Sequence, residues 1–291
     1  MWTPLDINEP TIIEYDGDLP SHIYRYRQLS NDCIDRIIDF EIIEEAIYLA
    51  GLKDLNDPDE GRFLVKFKGT DNELFNFWCR IISHTYPSKP LKAVEAQAKA
   101  NIEETRNLGN QVPERVAAYT KYVLGHVLRV ACFTTNPFNY SMWANYGKYN
   151  GCGGPVGHGG ICIEYLCDNG WRGLNLHPVQ YSDEIPEIDA VNMDESKLVK
   201  AIYMKAKEWQ SEEEWRIFSL LDVMPPFPPN LTTNSKYRLE GSVKSVIFGM
   251  ATPKVMISKI MDRVKAKKSN ILFKQVAQNP VTFDRYLLDI S

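Results

Sequence analysis

Short apolar runs of strand length follow one another along this chain, while its most helical sequence is gathered into one block. That order constrains the fold more than any single motif. A doubly wound parallel sheet needs a helix at each crossover, so strands and helices alternate strictly in it. Strands in series with helices grouped predict an α+β fold instead. The strand-like runs are His22–Arg27, Ala46–Ala50, Val130–Thr134, Gly160–Tyr165, Val179–Tyr181, Trp215–Leu221, Val243–Phe248, Ile271–Val276 and Phe283–Leu288. Ile, Val, Tyr and Phe recur in them, and such side chains suit a pleated, half-buried surface.

Between about residues 70 and 128 the sequence reads as mainly helical. Leu91–Asn107 is rich in Ala, Glu and Lys, and Pro113 suits the first turn of a helix running to Val127. Further helices are expected at Ser30–Ile43, at Ser196–Glu208 and at Pro253–Lys267. In the last of these Val255, Ile257, Ile260, Met261 and Val264 are expected to face the core. Residues 1–20 read as an irregular arm, Asn56–Glu60 as a turn and Pro225–Pro229 as a loop. With no internal repeat or long linker, the expectation is a single domain over 1–291 with a helical insertion at about 70–128. At 291 residues and 44% hydrophobic, the chain has enough apolar side chains for one sizeable core.

The formal net charge of −5 excludes a global basic field for gripping nucleic acid, though not a local patch. The N-terminal MWTPLDINEP has no basic segment leading into an apolar run, and no apolar stretch is long enough to span a bilayer. A soluble, cytoplasmic protein without membrane association is expected. None of the six cysteines forms a C-x-x-C pair, so no zinc or other metal site is expected, and a reduced compartment fits.

Three motifs carry possible chemistry. In Tyr24-Arg-Tyr-Arg27 a strand puts Arg25 and Arg27 on one face. Two guanidiniums side by side repel unless an anion lies between them, either a phosphate or carboxylate ligand or an Asp or Glu of the chain itself. In Ser141–Tyr146 a helical turn puts Trp143 and Tyr146 on one side, where they could stack on a planar ring or simply pack in the core. In Lys205–Arg216 the acids Glu212 and Glu214 and the base Arg216 are spaced by two, so a strand aligns all three on one face. A carboxylate held there by Arg216 or Lys205 stays ionised at neutral pH, as stabilisation of a cationic transition state requires. His158, among glycines, reads more readily as a loop residue than as a catalyst. The Gly151–Gly154 run fits neither phosphate-loop pattern.

In this order the motifs resemble a bacterial family catalogued as domain-of-unknown-function family 2971, whose members often lie near phage-defence genes and are similar to abortive-infection proteins. The resemblance covers roughly residues 22–250. It rests on Tyr24–Arg27, on Asn56-Asp-Pro58 with Glu60, and on Cys132-Phe133 followed by Met142, Trp143 and Tyr146. It continues with His158–Ile163, Val179–Tyr181, Lys205–Arg216 and Val246–Gly249. The glycine-rich stretch between Tyr146 and His158 departs from the pattern. The layout is similar to the ADP-ribosyltransferase fold, which implies a split β-sheet core and NAD as substrate. That resemblance implies that Arg25 or Arg27 holds the NAD pyrophosphate or ribose. It puts Tyr26, Thr134, Trp143 and Tyr146 at the cofactor, and it makes Glu214 the catalytic glutamate with Glu212 as partner and Arg216 beside them.

The implied activity is NAD-dependent ADP-ribosyl transfer or NAD hydrolysis by a toxin-like effector of phage defence, with an acceptor protein or nucleic acid and an antitoxin or defence-system partner. Two other readings use the same residues. One is a metal-dependent nuclease or phosphodiesterase built on Glu212, Glu214 and the acids of the 56–60 turn. The other is a non-catalytic module that holds a nucleotide or a partner peptide.

Overall fold

The computed structural model describes residues 15–108, 111–151, 153–168, 171, 174, 176–192, 201–220, 236–238 and 242–291. The fold is mixed α+β. Nine strands form the main sheet: β1 (His22–Arg27), β2 (Ala50–Gly51), β3 (Leu128–Thr134), β4 (Ile161–Leu166), β5 (His177–Pro178), β6 (Glu214–Leu220), β7 (Val243–Phe248), β8 (Leu272–Gln278) and β9 (Arg285–Asp289). Their order is β5-β6-β3-β1-β4-β7-β8-β9, with β2 also paired to β3. Neighbours are antiparallel except β7 and β8, which are parallel and joined through helix α6 (Lys254–Lys265). A parallel pair needs such a crossover, whereas antiparallel neighbours do not.

The strands β3, β4 and β7 are the most buried, and with β1 their runs of Ile, Val, Tyr and Phe supply the main core. Ile23, Phe133, Ile161, Ile163 and Tyr165 pack there with Ile37, Ile38 and Ile42 from one side and Ile260 and Val264 from α6. The Ser30–Ile43 segment is helical only from Ile34. A short helix α1 (Ile34–Arg36) widens into a π-helical stretch, Ile37–Ile43. The widened turn keeps three isoleucines buried, and it buries Glu41 with them. Such π-turns often sit at functional sites.

The helical block is present as α2 (Asp71–Thr85), α3 (Leu91–Leu108) and α4 (Gln111–Val127). A capping box opens α2: Thr70 Oγ1 accepts from the Glu73 N–H, and Glu73 accepts from the Thr70 N–H at 2.7 Å. Phe77, Ile81 and Ile102 of this block form a second apolar cluster with Ala190 and Val191. No helix among the described residues is long and apolar enough to cross a membrane.

Two local expectations need correction. In α6 the buried positions are Met256, Ile260, Met261 and Val264, while Val255 is 71% exposed. Ile260, Met261 and Val264 face the core as expected and Ile257 packs against it half-buried; Met256, one turn before Ile260, takes the buried place expected of Val255. The expected helix Ser196–Glu208 is not continuous. Residues 193–200 lie outside those described, Met204–Ala206 is a strand parallel to Gln180–Ser182, and Lys207–Glu212 is a 3-10 helix. Strand pairing outweighs helix propensity there. Residues 1–14 of the expected arm and the Pro225–Pro229 run also lie outside the described residues.

Candidate functional site

Strand β3 changes partner along one edge. Thr134 pairs with Tyr24 of β1, whereas Val130 and Arg129 pair with Ala50 and Gly51 of β2. Between the two pairings the edge is open around Cys132, the least buried residue of the strand. A cavity of about 200 Å³ lies at this gap, lined by Arg25, Tyr26 and Arg27 of β1 and by Val130 and Cys132 of β3. The rest of its wall includes Ala50, the turn residues Asn56, Asp57 and Glu60, Met142 and Tyr146, and the charged set Lys205, Glu212, Glu214 and Arg216. The cavity therefore gathers the first motif, the turn, one residue of the predicted aromatic pair and the whole acidic motif.

The anion expected between Arg25 and Arg27 is a side chain. Glu41, buried on the π-helical stretch, accepts from Arg27 Nε at 2.7 Å and lies 3.9 Å from Arg25 Nη1. Arg27 is thereby neutralised. Arg25 donates through Nη2 to the Tyr48 carbonyl at 2.7 Å, and its guanidinium lies over the Phe133 ring. Its Nη1 is buried with no hydrogen-bond acceptor. Burial and the neighbouring Arg27 lower the Arg25 pKa to about 10, against the pull of Glu41. It remains a cation at neutral pH. An unmatched buried donor of this kind is costly unless something else satisfies it.

Opposite stands a charge network centred on Arg216, which is fully buried. Its Nε and Nη2 donate to the two oxygens of Glu214 at 2.7 and 3.1 Å. Its Nη1 and Nη2 donate to the two oxygens of Glu60 at 2.5 and 2.9 Å. Lys205 Nζ bridges Glu212 at 2.6 Å and Glu214 at 3.0 Å. Tyr146 donates its hydroxyl to the other oxygen of Glu212 at 3.0 Å. Burial works against the Glu214 charge, but Arg216 and Lys205 outweigh it and hold the carboxyl at about 2. Burial likewise opposes the Lys205 charge, and Glu214 and Glu212 reverse that and raise its pKa. Burial and then Glu212 push the Tyr146 hydroxyl up, so it serves as a proton donor to the carboxylate.

Glu214 and Arg216 share a face of β6, as their spacing predicts, but Glu212 reaches the cluster by another route. It ends the 3-10 helix, and Glu213 then adopts a left-handed conformation with φ 48°. This tight reversal lets Glu212 and Glu214 meet one lysine while Glu213 points to solvent. The lowered Glu214 pKa carries a stability prediction. Its folded value lies below the ordinary carboxylate value of 4.5, so its contribution is complete above about pH 4.5 and lost as pH falls towards 2. A loss on the order of 3 kcal/mol is expected across that window. Urea unfolding at pH 6 and pH 3 checks it, and equal stability at the two would remove the argument.

Thr134 and Trp143 do not line the cavity. Thr134 is buried, and its hydroxyl accepts from the Asn136 N–H at 3.2 Å. Trp143, on helix α5 (Tyr140–Asn145), is fully buried, donates through Nε1 to the Pro137 carbonyl at 2.9 Å and meets the Tyr26 ring edge-on at 4.9 Å. It is a core residue that fixes Tyr26, which does line the cavity. His158 also stands apart from it, stacked on Trp143 with its own left-handed φ of 59°. Sequence reasoning missed Glu41 as the partner of the arginines. Its signal was an acid, one of two with Asp39, inside the otherwise apolar run Ile37–Ile43.

The acids of the cavity bear on metal binding through their partners. Glu60 and Glu214 face Arg216, and Glu212 and Glu214 face Lys205, so these three carboxylates share two protein cations. Compared with protein-family models, with curated proteins and with solved structures, the chain finds no match.

Proposed function

We propose that the chain cleaves the nicotinamide–ribose bond of NAD, as an ADP-ribosyltransferase or NAD glycohydrolase, in the cavity between β1 and β3. The observation that carries this reading is the cavity's polarity. On one wall Arg25 keeps an unsatisfied buried donor. On another, Tyr146, Glu212 and Lys205 form a hydrogen-bonded chain. NAD has the matching asymmetry, with an anionic pyrophosphate at its middle and a cationic nicotinamide ribosyl at one end. A volume of about 200 Å³ is smaller than the roughly 300–1,000 Å³ of pockets for drug-sized ligands. It suits the nicotinamide ribosyl end, with the adenosine half outside. The parting of β1 from β3 agrees with the split-sheet layout that the motif order resembles.

In this reading the C–N bond to nicotinamide breaks with its electron pair leaving on the ring nitrogen, and positive charge spreads over the ribose C1′ and ring oxygen. A fixed carboxylate stabilises that charge. Glu212 is better suited to the task than Glu214. Both Glu214 oxygens are held by Arg216, whereas Glu212 has a neutral phenol on one oxygen and shares Lys205 on the other. Glu214 then positions Lys205. Water or an acceptor hydroxyl adds to C1′ and gives up its proton to Glu212. Arg25 holds a pyrophosphate oxygen. The metal-dependent nuclease reading is less well supported, because Lys205 and Arg216 already pair with three of its acids, Glu60, Glu212 and Glu214. A role in phage defence, with an antitoxin partner, rests on motif order alone.

The test is nicotinamide release from NAD by the purified protein, alone and with cell extract as a source of acceptor. Release is expected in at least one condition. Retention of NAD without release would point to a binding module, and neither binding nor release would sink the proposal.

A further inference from the structure

Five carboxylates line the cavity: Asp54, Asp57, Glu60, Glu212 and Glu214. Glu60, Glu212 and Glu214 each hold a cation. Asp54 accepts from the Gly51 N–H and caps a 3-10 turn. Asp57 differs from all of these. It is only 8% exposed and makes no ion pair among the described residues, and the hydrogen bond it accepts is from the Asp59 N–H, at 2.9 Å on Oδ1. A carboxylate that far out of water, with one oxygen engaged by a single backbone donor, is costly to keep. The same cavity holds Arg25 with its unmatched donor. The Arg25 donor has no acceptor, and the second Asp57 oxygen has no protein donor among the described residues; the two groups, of opposite sign, line one space that the protein's own side chains do not fill.

We propose that Asp57 is the residue that takes the 2′-hydroxyl of the substrate ribose, which extends the NAD-cleavage reading and rests on it. A free carboxylate oxygen accepts from a sugar hydroxyl, as acidic residues do with ribose in dinucleotide sites. The hydrogen bond strengthens as positive charge develops on the sugar ring, because the hydroxyl becomes a better donor. The turn that carries Asp57 is short, and Glu60 at its far end is clamped by Arg216. The clamp fixes the turn against the cavity wall, so the ion pair deep in the network sets the position of a group that meets substrate. Of the other cavity acids, Glu60, Glu212 and Glu214 each hold a cation, and Asp54 caps its own turn.

The experiment compares wild-type protein with Asp57→Asn on two substrates, NAD and its analogue lacking the 2′-hydroxyl on the nicotinamide ribose. The asparagine keeps the Oδ1 acceptor for the Asp59 N–H, so the turn is retained. With NAD, Asp57→Asn is expected to slow nicotinamide release by on the order of tenfold to a hundredfold, the worth of one charge-assisted hydrogen bond. With the deoxy analogue the two proteins are expected to release nicotinamide at the same rate. Equal slowing on both substrates, or no slowing with NAD, overturns the assignment and leaves the NAD-cleavage reading standing. NAD bound but not cleaved, with a preference over the deoxy analogue that Asp57→Asn abolishes, overturns cleavage and supports the subsite. Absence of binding to either nucleotide overturns both.

Discussion

Replacing Arg216 by methionine is expected to cost roughly 3–5 kcal/mol of folding stability, the usual cost of stranding one side of a buried ion pair. That is a large part of the roughly 5–15 kcal/mol that holds a typical domain together. Arg216 is fully buried, and among the described residues it alone pairs with Glu60 while sharing Glu214 with Lys205. It also donates to the Ile202 carbonyl at 2.9 Å, which would lose that partner too. Urea unfolding followed by tryptophan fluorescence reads the loss as a lower midpoint. The double variant Arg216→Met with Glu60→Leu separates charge from packing. It removes the stranded acid and leaves Glu214 with Lys205, so much of the lost stability should return. A single variant as stable as the wild type would mean that the charge network around Arg216 does not hold the fold at this point.

Glu212→Gln is expected to reduce nicotinamide release from NAD by roughly a hundredfold to ten-thousandfold, the range of a positioned acid or base. The substitution is nearly isosteric. Its amide oxygen can accept from Tyr146 or from Lys205 but not both, and Lys205 keeps Glu214 as its counter-ion. A modest loss of stability that leaves the protein folded is therefore expected, and a matched unfolding curve checks that. The contrast is Glu214→Gln, which leaves fully buried Arg216 with half of its anionic partners and is expected to lose activity and stability together. If Glu212→Gln keeps full activity while Glu214→Gln folds normally and is inactive, the roles of the two glutamates are the reverse of those argued above.

The pairing of the two effects has a physical basis in how the sheet divides the charges. Groups near the middle of the network, Arg216 and Glu214, have their hydrogen-bonding capacity used by one another. Groups at its margin, Glu212 and Asp57, keep a neutral or unused side towards the cavity. A mutation in the first set acts on stability and a mutation in the second on the bound substrate.

The sequence by itself determined the α+β class, because strand-length runs in series cannot be threaded as alternating crossovers. It also determined most strands, the helical block and the alignment of Glu214 with Arg216, since these depend on local periodicity and β-branched or helix-forming side chains. Local pattern could not reach the parts of the site that come from distant segments. Nothing in the Tyr24–Arg27 motif names Glu41 as the anion for its arginines, and nothing in the acidic motif names Glu60 as the second clamp on Arg216, 156 residues away. Trp143 and Tyr146 look equivalent on a helical wheel. Only packing sends the first into the core against Tyr26 and the second to Glu212. Tertiary structure also decided that Met204–Ala206 is a strand, because pairing with Gln180–Ser182 overrides its helical composition. Ion pairing and burial act between side chains that are close in space, and the chain fixes that closeness only when the sheet has formed.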